Sequence, residues 1–135
     1  MFTPARLLPL LLIAALLTVA GCNLMRASDA PDLTPALSVT FQSPENMAQF
    51  YAGDEVSLLL LAEDRGGPGV ARVELLVDDQ PHQEGTPEVS SAVPVFTVTM
   101  RWKANGPGFH SVTAIAYRAD GTASDPATIV LEVVP

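Results

Sequence analysis

Phe96-Thr97-Val98-Thr99-Met100-Arg101-Trp102 alternates apolar and polar side chains without a break. Successive side chains of an extended chain point to opposite faces, so this run sets an apolar face against a polar one. The same period of two recurs on both sides of it. Downstream, Val112, Ala114 and Ala116 alternate with Ser111 and Thr113, and Ile129, Leu131 and Val133 share a face against Thr128 and Glu132. Upstream, Val73, Leu75 and Val77 alternate with Arg72, Glu74 and Leu76; Val56, Leu58, Leu60 and Ala62 share one face; Leu37, Val39 and Phe41 alternate with Ser38 and Thr40. Half-buried strands carry this pattern. Between the runs stand Gly53-Asp54, Gly66-Gly67-Pro68-Gly69, Asn105-Gly106-Pro107-Gly108 and Asp120-Gly121, turn signals because Gly and Asp tolerate positive φ and Pro presets φ. No segment has the period of an amphipathic helix. The pattern predicts an all-β domain over residues 36–135, a sandwich of about seven short antiparallel strands of the immunoglobulin type.

The start of the chain follows other rules. Arg6 is the only charge ahead of an apolar run from Leu7 to Ala20, and Val19-Ala20-Gly21-Cys22 closes that run with small residues before the chain's single cysteine. A charged start, a short apolar stretch and a small-residue exit make a secretory signal. The run is short for a membrane span, which needs about 20 apolar residues. Residues 1–21 are therefore expected to be removed. Val-Ala-Gly-Cys resembles the bacterial lipobox, and the resemblance implies a thioether-linked lipid on Cys22 and cleavage just before it. An ordinary signal followed by a free cysteine and an uncleaved anchor are the other two readings. Several acyl chains hold a protein on a bilayer far more firmly than one, since each buried CH₂ contributes about 0.8 kcal/mol.

Removing residues 1–21 takes Arg6 away, leaves 135 − 21 = 114 residues and moves the formal net charge from −8 to −9. That acidic balance excludes nucleic acid as a partner and flat adsorption to anionic lipid, because both need clustered Lys or Arg. With Cys22 acylated, no disulfide is available and the core alone must stabilise the domain, which is feasible at this length. Residues 22–35 read as a flexible tether, whose stretch from Asn23 to Pro35, with Asn, Ser, two Asp and two Pro, reaches at most about 43 Å when extended.

Beyond the period lies a family resemblance. Ser43-Pro44-Glu45-Asn46, Gly53-Asp54-Glu55-Val56, Ala62-Glu63-Asp64, Val73 to Asp78, Trp102, Gly108-Phe109-His110 and Ala114 to Gly121 resemble, in order, the bacterial Ig-like domains of surface and exported proteins. The likeness runs from about Leu37 to Val134 and implies a sandwich in which Trp102, Ala114 and Ala116 are core. It also implies spacer, adhesin or accessory roles, since one fold hosts many functions. The sequence departs from the pattern at Asp79, where a Gly often follows the Asp, and over Gln80–Val93.

Groups able to do chemistry are few. His82 follows Pro81 in an expected loop, His110 opens a strand at a packing position, and a metal site using both is not expected. There is no Gly-x-Ser-x-Gly elbow, no His-Glu-x-x-His, no Walker-type loop and no cysteine pair. Neither catalysis nor a cofactor is therefore expected. Asp64, Asp120 and Asp125 flank loops that share one end of such a sandwich and are candidates for weak calcium binding, although Asp is also an ordinary turn residue. Leu59, Leu61 and Leu76 should point outward, either under a neighbouring loop or as part of a partner surface.

The assumed topology starts the first strand at the end carrying the loops near Arg65–Gly69 and Asp120–Ser124, which would then face the membrane. Gly53-Asp54, Asn105–Gly108 and part of Asp78–Val93, with His82 and Glu84, would face outward as the contact surface. The expected protein is thus a lipid-anchored extracytoplasmic module, on the outer membrane where the host has one, because Asn23 follows the cysteine. It would bind an envelope protein or glycan; a structural spacer or assembly accessory is the alternative.

Overall fold

The computed structural model describes residues 36–135. The expected signal peptide over residues 1–21, the expected tether over 22–35 and Cys22, the expected lipidation site, lie outside the described residues.

Eight strands make up the domain: β1 Ser38–Ser43, β2 Gln49–Tyr51, β3 Glu55–Glu63, β4 Arg72–Val77, β5 Gln80–Gly85, β6 Val95–Lys103, β7 Gly108–Tyr117 and β8 Ala127–Val134. They form a three-stranded sheet, β1-β3-β6, and a five-stranded sheet, β2-β8-β7-β4-β5. Every long pairing is antiparallel; only β2 runs parallel to its neighbour, β8. The chain leaves the first sheet at the cis Ser43-Pro44 bond and turns through Met47, at φ 69°, to enter the second.

The inward faces are those the alternation predicts. Val56, Leu58, Leu60 and Ala62 of β3, Val73 and Leu75 of β4, Met100 and Trp102 of β6, Val112, Ala114 and Ala116 of β7, and Ile129, Leu131 and Val133 of β8 form one buried cluster. Each fully buried Leu or Val contributes about 1.5–3 kcal/mol relative to its exposed state. This cluster stabilises the domain without a disulfide. Val70 and Ala104 join it from outside the strands, both fully buried.

Two elements escaped the periodicity. The three-residue β2 is too short to show an alternation. β5 lies where a loop is expected around His82; His82 sits instead on a strand, and Glu84 with it. β5 is an edge strand with both faces wet, so its sequence, Gln-Pro-His-Gln-Glu-Gly, has no apolar period to display. It hangs on β4 through the two-residue turn Asp78-Asp79, with φ of 49° and 63°, closed by the Val77–Gln80 pair. Positive φ at both central residues is the hairpin geometry whose twist matches that of the strands, and Asp is among the few side chains that tolerate it.

The strand directions put Glu63–Arg72, Tyr117–Ala127 and the start of β1 at one pole. Gly53-Asp54, Asp78-Asp79 and Ala104–Gly108 lie at the other. The Gln80–Val93 segment does not stay at the second pole. After Gly85 it returns toward the first, where Val93 bridges Val70.

Candidate interaction surfaces

The calcium candidates occupy the first pole. Asp64, just past β3, is fully buried, and its carboxylate accepts hydrogen bonds from Arg118 Nε and Nη2, both at 2.8 Å, and from Gly69 N at 2.9 Å. The Arg118 hydrogen bonds hold this carboxyl below its ordinary range against the opposing effect of burial. Gly67 packs so closely that a Cβ there would overlap the carboxylate. Asp120 is drawn into its own turn, accepting from Thr122 N at 2.9 Å. Asp125 lends its carbonyl to Ser124 Oγ at 2.9 Å. The three acids share a pole yet are not gathered. Among the described residues no group of three or more His, Cys, Asp or Glu could hold a metal ion.

At the second pole His110 occupies the third position of β7. Its Nδ1 lies 2.7 Å from Asp78 Oδ2 and its Nε2 lies 2.7 Å from Gly106 O, while the ring tilts against Trp102 at 5.2 Å between centroids. Both partners are acceptors, so both ring nitrogens must donate and the imidazolium is the form that satisfies the site. The bond to Asp78, helped by the Gly106 carbonyl and opposed by burial, raises the proton affinity of His110 above the ordinary histidine value. Asp78 also accepts from Ser111 N at 3.0 Å. The histidine thus packs as expected and, in addition, ties the β4–β5 turn to the loop before β7.

The outward leucines divide between the sheets. Leu59 and Leu61 are half-buried on the outer face of the three-stranded sheet, opposite Thr99 and Thr97 of β6 and opposite Ser43 and Thr40 of β1. Leu76 lies on the other sheet between Pro81 and Thr113. No single patch unites the three. Glu84 pairs with Arg72 at 3.3 Å, and Arg72 in turn caps the Tyr117 ring at 3.8 Å.

His82 has a different task. Its Nε2 donates to Arg101 O at 2.9 Å, while Arg101 N donates to Gln83 Oε1 at 3.1 Å. Two side chains of β5 thereby close the gap to β6, the edge strand of the opposite sheet. Since both main-chain groups of Arg101 point away from β3, those of Thr99, Thr97 and Val95 do so too by strand alternation. Val93 closes the far end by exchanging hydrogen bonds with Val70 at 2.7 and 3.0 Å. Between these closures no described residue pairs with the outward main-chain groups of Val95, Thr97 or Thr99.

A groove of about 460 Å³ runs along this stretch, lined by Thr86, Pro87, Glu88 and Val89 on one side and by Val93 and Val95–Thr99 on the other. Phe96 and Val98, which face inward, stay only half-buried there. Val89 is 90% exposed and Val95 38% exposed. The sequence reading missed this groove. The available signal was a run of β-branched and aromatic residues, Val95 to Thr99, with neither Pro nor charge, next to a segment with no period of its own.

Two stacked sheets with a short parallel strand added beside β8 define a β-sandwich of the immunoglobulin class. Residues 38–114, more than half of the chain, match the family described as Bacterial Ig domain, and the chain belongs to it. No curated protein sequence matches. Among solved structures, the fibronectin(III)-like modules of Clostridium thermocellum CbhA are similar at 26% identity and a TM-score of 0.59, over 71% of this chain and 96% of theirs. The CARDB domain of a Pyrococcus furiosus protein, solved in complex with di-metal ions, is similar at 14% identity and a TM-score of 0.54, over 76% of this chain and 90% of its own. An endo-beta-1,4-mannanase from Thermotoga petrophila aligns with 73% of this chain over 20% of its own length, at 13% identity and a TM-score of 0.51. Fold and family together give an interaction or structural module.

Proposed function

We propose that this protein is a non-catalytic lipoprotein, held on the extracytoplasmic face of a membrane by lipid on Cys22, whose Ig-like domain binds a protein partner in the cell envelope. The observation that carries the binding role is the groove beside β6, where a main-chain edge closed at both ends has no pairing partner in between among the described residues. Exposed strand edges invite pairing and are usually blunted, so an unblunted one suits a partner site. The anchoring role is supported by the sequence Val19-Ala20-Gly21-Cys22 after an apolar run.

Two measurements on cells test the reading. The intact mass of the mature N-terminal peptide should correspond to an acylated Cys22; a peptide that still begins at Met1, or a bare thiol, removes the anchor. Photo-crosslinking from Thr97 and from Thr128, which lies on the opposite sheet, should give one saturable adduct from the first position only. Absence of any adduct from either position favours a spacer instead.

A further inference from the structure

We propose that the free stretch of β6 is a strand-addition site, at which an extended basic polypeptide segment of a partner protein enters the groove beside Thr86–Val89 and pairs with the main chain of Thr97 and Thr99. This inference rests on the reading of the domain as a protein-binding module and names the kind of partner.

The hydrogen-bonding pattern sets the ligand class. Outward N–H and C=O groups recur at every second residue of β6, about 6.6 Å apart at the rise of a strand. Another extended polypeptide backbone matches that repeat of paired donors and acceptors. The closures at Val93 and Arg101 fix the length, because the partner can engage only what lies between them. The groove supplies apolar contacts as well: Phe96 and Val98 are half-buried, and Val89 and Val95 are exposed at 90% and 38%. Apolar side chains at alternate positions of the incoming strand would cover them.

Charge chooses between partners. Among the described residues Glu88 is the only charged side chain lining the groove, and the full sequence carries a formal charge of −8. A second copy of the domain would bring the same surplus and its own Glu88 against this edge. A segment flanked by Lys or Arg is attracted instead. The adjoining edge of the other sheet makes the contrast plain, since β5 carries Pro81, His82 and Glu84 and its pairing with β4 has a register shift between Leu75 and Leu76, all devices that discourage pairing.

A test uses isotopically labelled full-length protein in detergent micelles and the synthetic peptide Lys-Val-Thr-Val-Thr-Val-Lys. Amide resonances of Thr97 and Thr99 should shift and their hydrogen exchange should slow as peptide is added. N-methylation of alternate peptide amides on one edge should weaken binding by about tenfold or more, whereas methylation on the other edge should leave it unchanged. Thr97→Pro removes one main-chain donor at a position where proline is tolerated and should also weaken binding, while Thr97→Val should not. If Thr97→Pro fails to fold, the two methylated peptides still decide, because they leave the protein untouched. Equal binding of both methylated peptides, shifts confined to the Leu59 and Leu61 face, no response at millimolar peptide, or protection of Thr97 and Thr99 by self-association without peptide would each overturn the proposal. An adduct captured on cells together with a failed peptide experiment would sink strand addition alone; no adduct at all would remove the binding role beneath it.

Discussion

The two poles of the sandwich each hold an acid–base pair, and the two pairs behave as opposites. Asp64–Arg118 is bidentate and its carboxylate is fully buried, whereas the His110–Asp78 contact is single and its carboxylate is 51% exposed. Burial makes the first pair indispensable once formed, because removing one partner leaves a charge with no water to replace it. Titration makes the second conditional. Asp64 has a lowered pKa, so its contribution is full above the ordinary value of 3.8 and is lost only as the pH falls through the folded-state value. His110 has a raised pKa, so its contribution is full below 6.5 and is lost as the pH rises through the folded-state value above it. The first pole is thus built against acid and the second is sensitive to alkali.

The contrast can be broken hardest at Arg118. Arg118→Met should cost about 3–5 kcal/mol in urea unfolding, because it strands the Asp64 carboxylate. Adding Asp64→Asn should recover part of the loss, since an amide oxygen can still accept from Gly69 N; no recovery would mean that the buried charge is not the cause. Next comes Gly67→Ala, whose Cβ would overlap the same carboxylate, with an expected loss of about 1–3 kcal/mol. At the second pole His110→Phe keeps a ring against Trp102 but forfeits both hydrogen bonds. It should cost about 1 kcal/mol at pH 6. The same variant should flatten the decline in stability expected of the native protein as the pH rises above 6.5, and an unchanged decline would show that other groups set the pH response. The smallest effect belongs to the turn that holds Asp78. Asp79→Gly suits the φ of 63° there and should stabilise by about 0.5 kcal/mol, read as a higher urea midpoint.

How legible each part was in the sequence follows from what leaves a periodic trace. Strands with one dry face, such as Val56–Ala62 or Phe96–Trp102, must alternate, and the core was readable residue by residue. β5 has no dry face and left no trace, so His82 was assigned to a loop although the turn at Asp78-Asp79 marks a hairpin. The candidate site was less legible still. That Asp64 and Arg118 meet is a fact of topology, separated as they are by 54 residues, and the residue pattern alone offered only weak calcium binding or an ordinary turn aspartate. That the main chain of Thr97 and Thr99 finds no partner among the described residues is not written in their side chains, because every residue but proline has the same N–H and C=O; the uncharged, proline-free run Val95–Thr99 shows only that nothing there blunts an edge. Only strand order reveals which edge stays open.

The parallel union of β2 with β8 has a mechanical corollary. Met47 N donates to Val130 O at 2.7 Å, Glu132 N to Ala48 O at 3.0 Å and Ala52 N to Val134 O at 2.8 Å, so the rungs lie side by side across two strands that run the same way. Tension between the chain ahead of β1 and the chain behind β8 would pull these strands past each other along their length. All the rungs would then be loaded in shear at once, rather than peeled open one after another. A module placed between a fixed point and a moving load would resist extension through this three-residue strand out of proportion to its size.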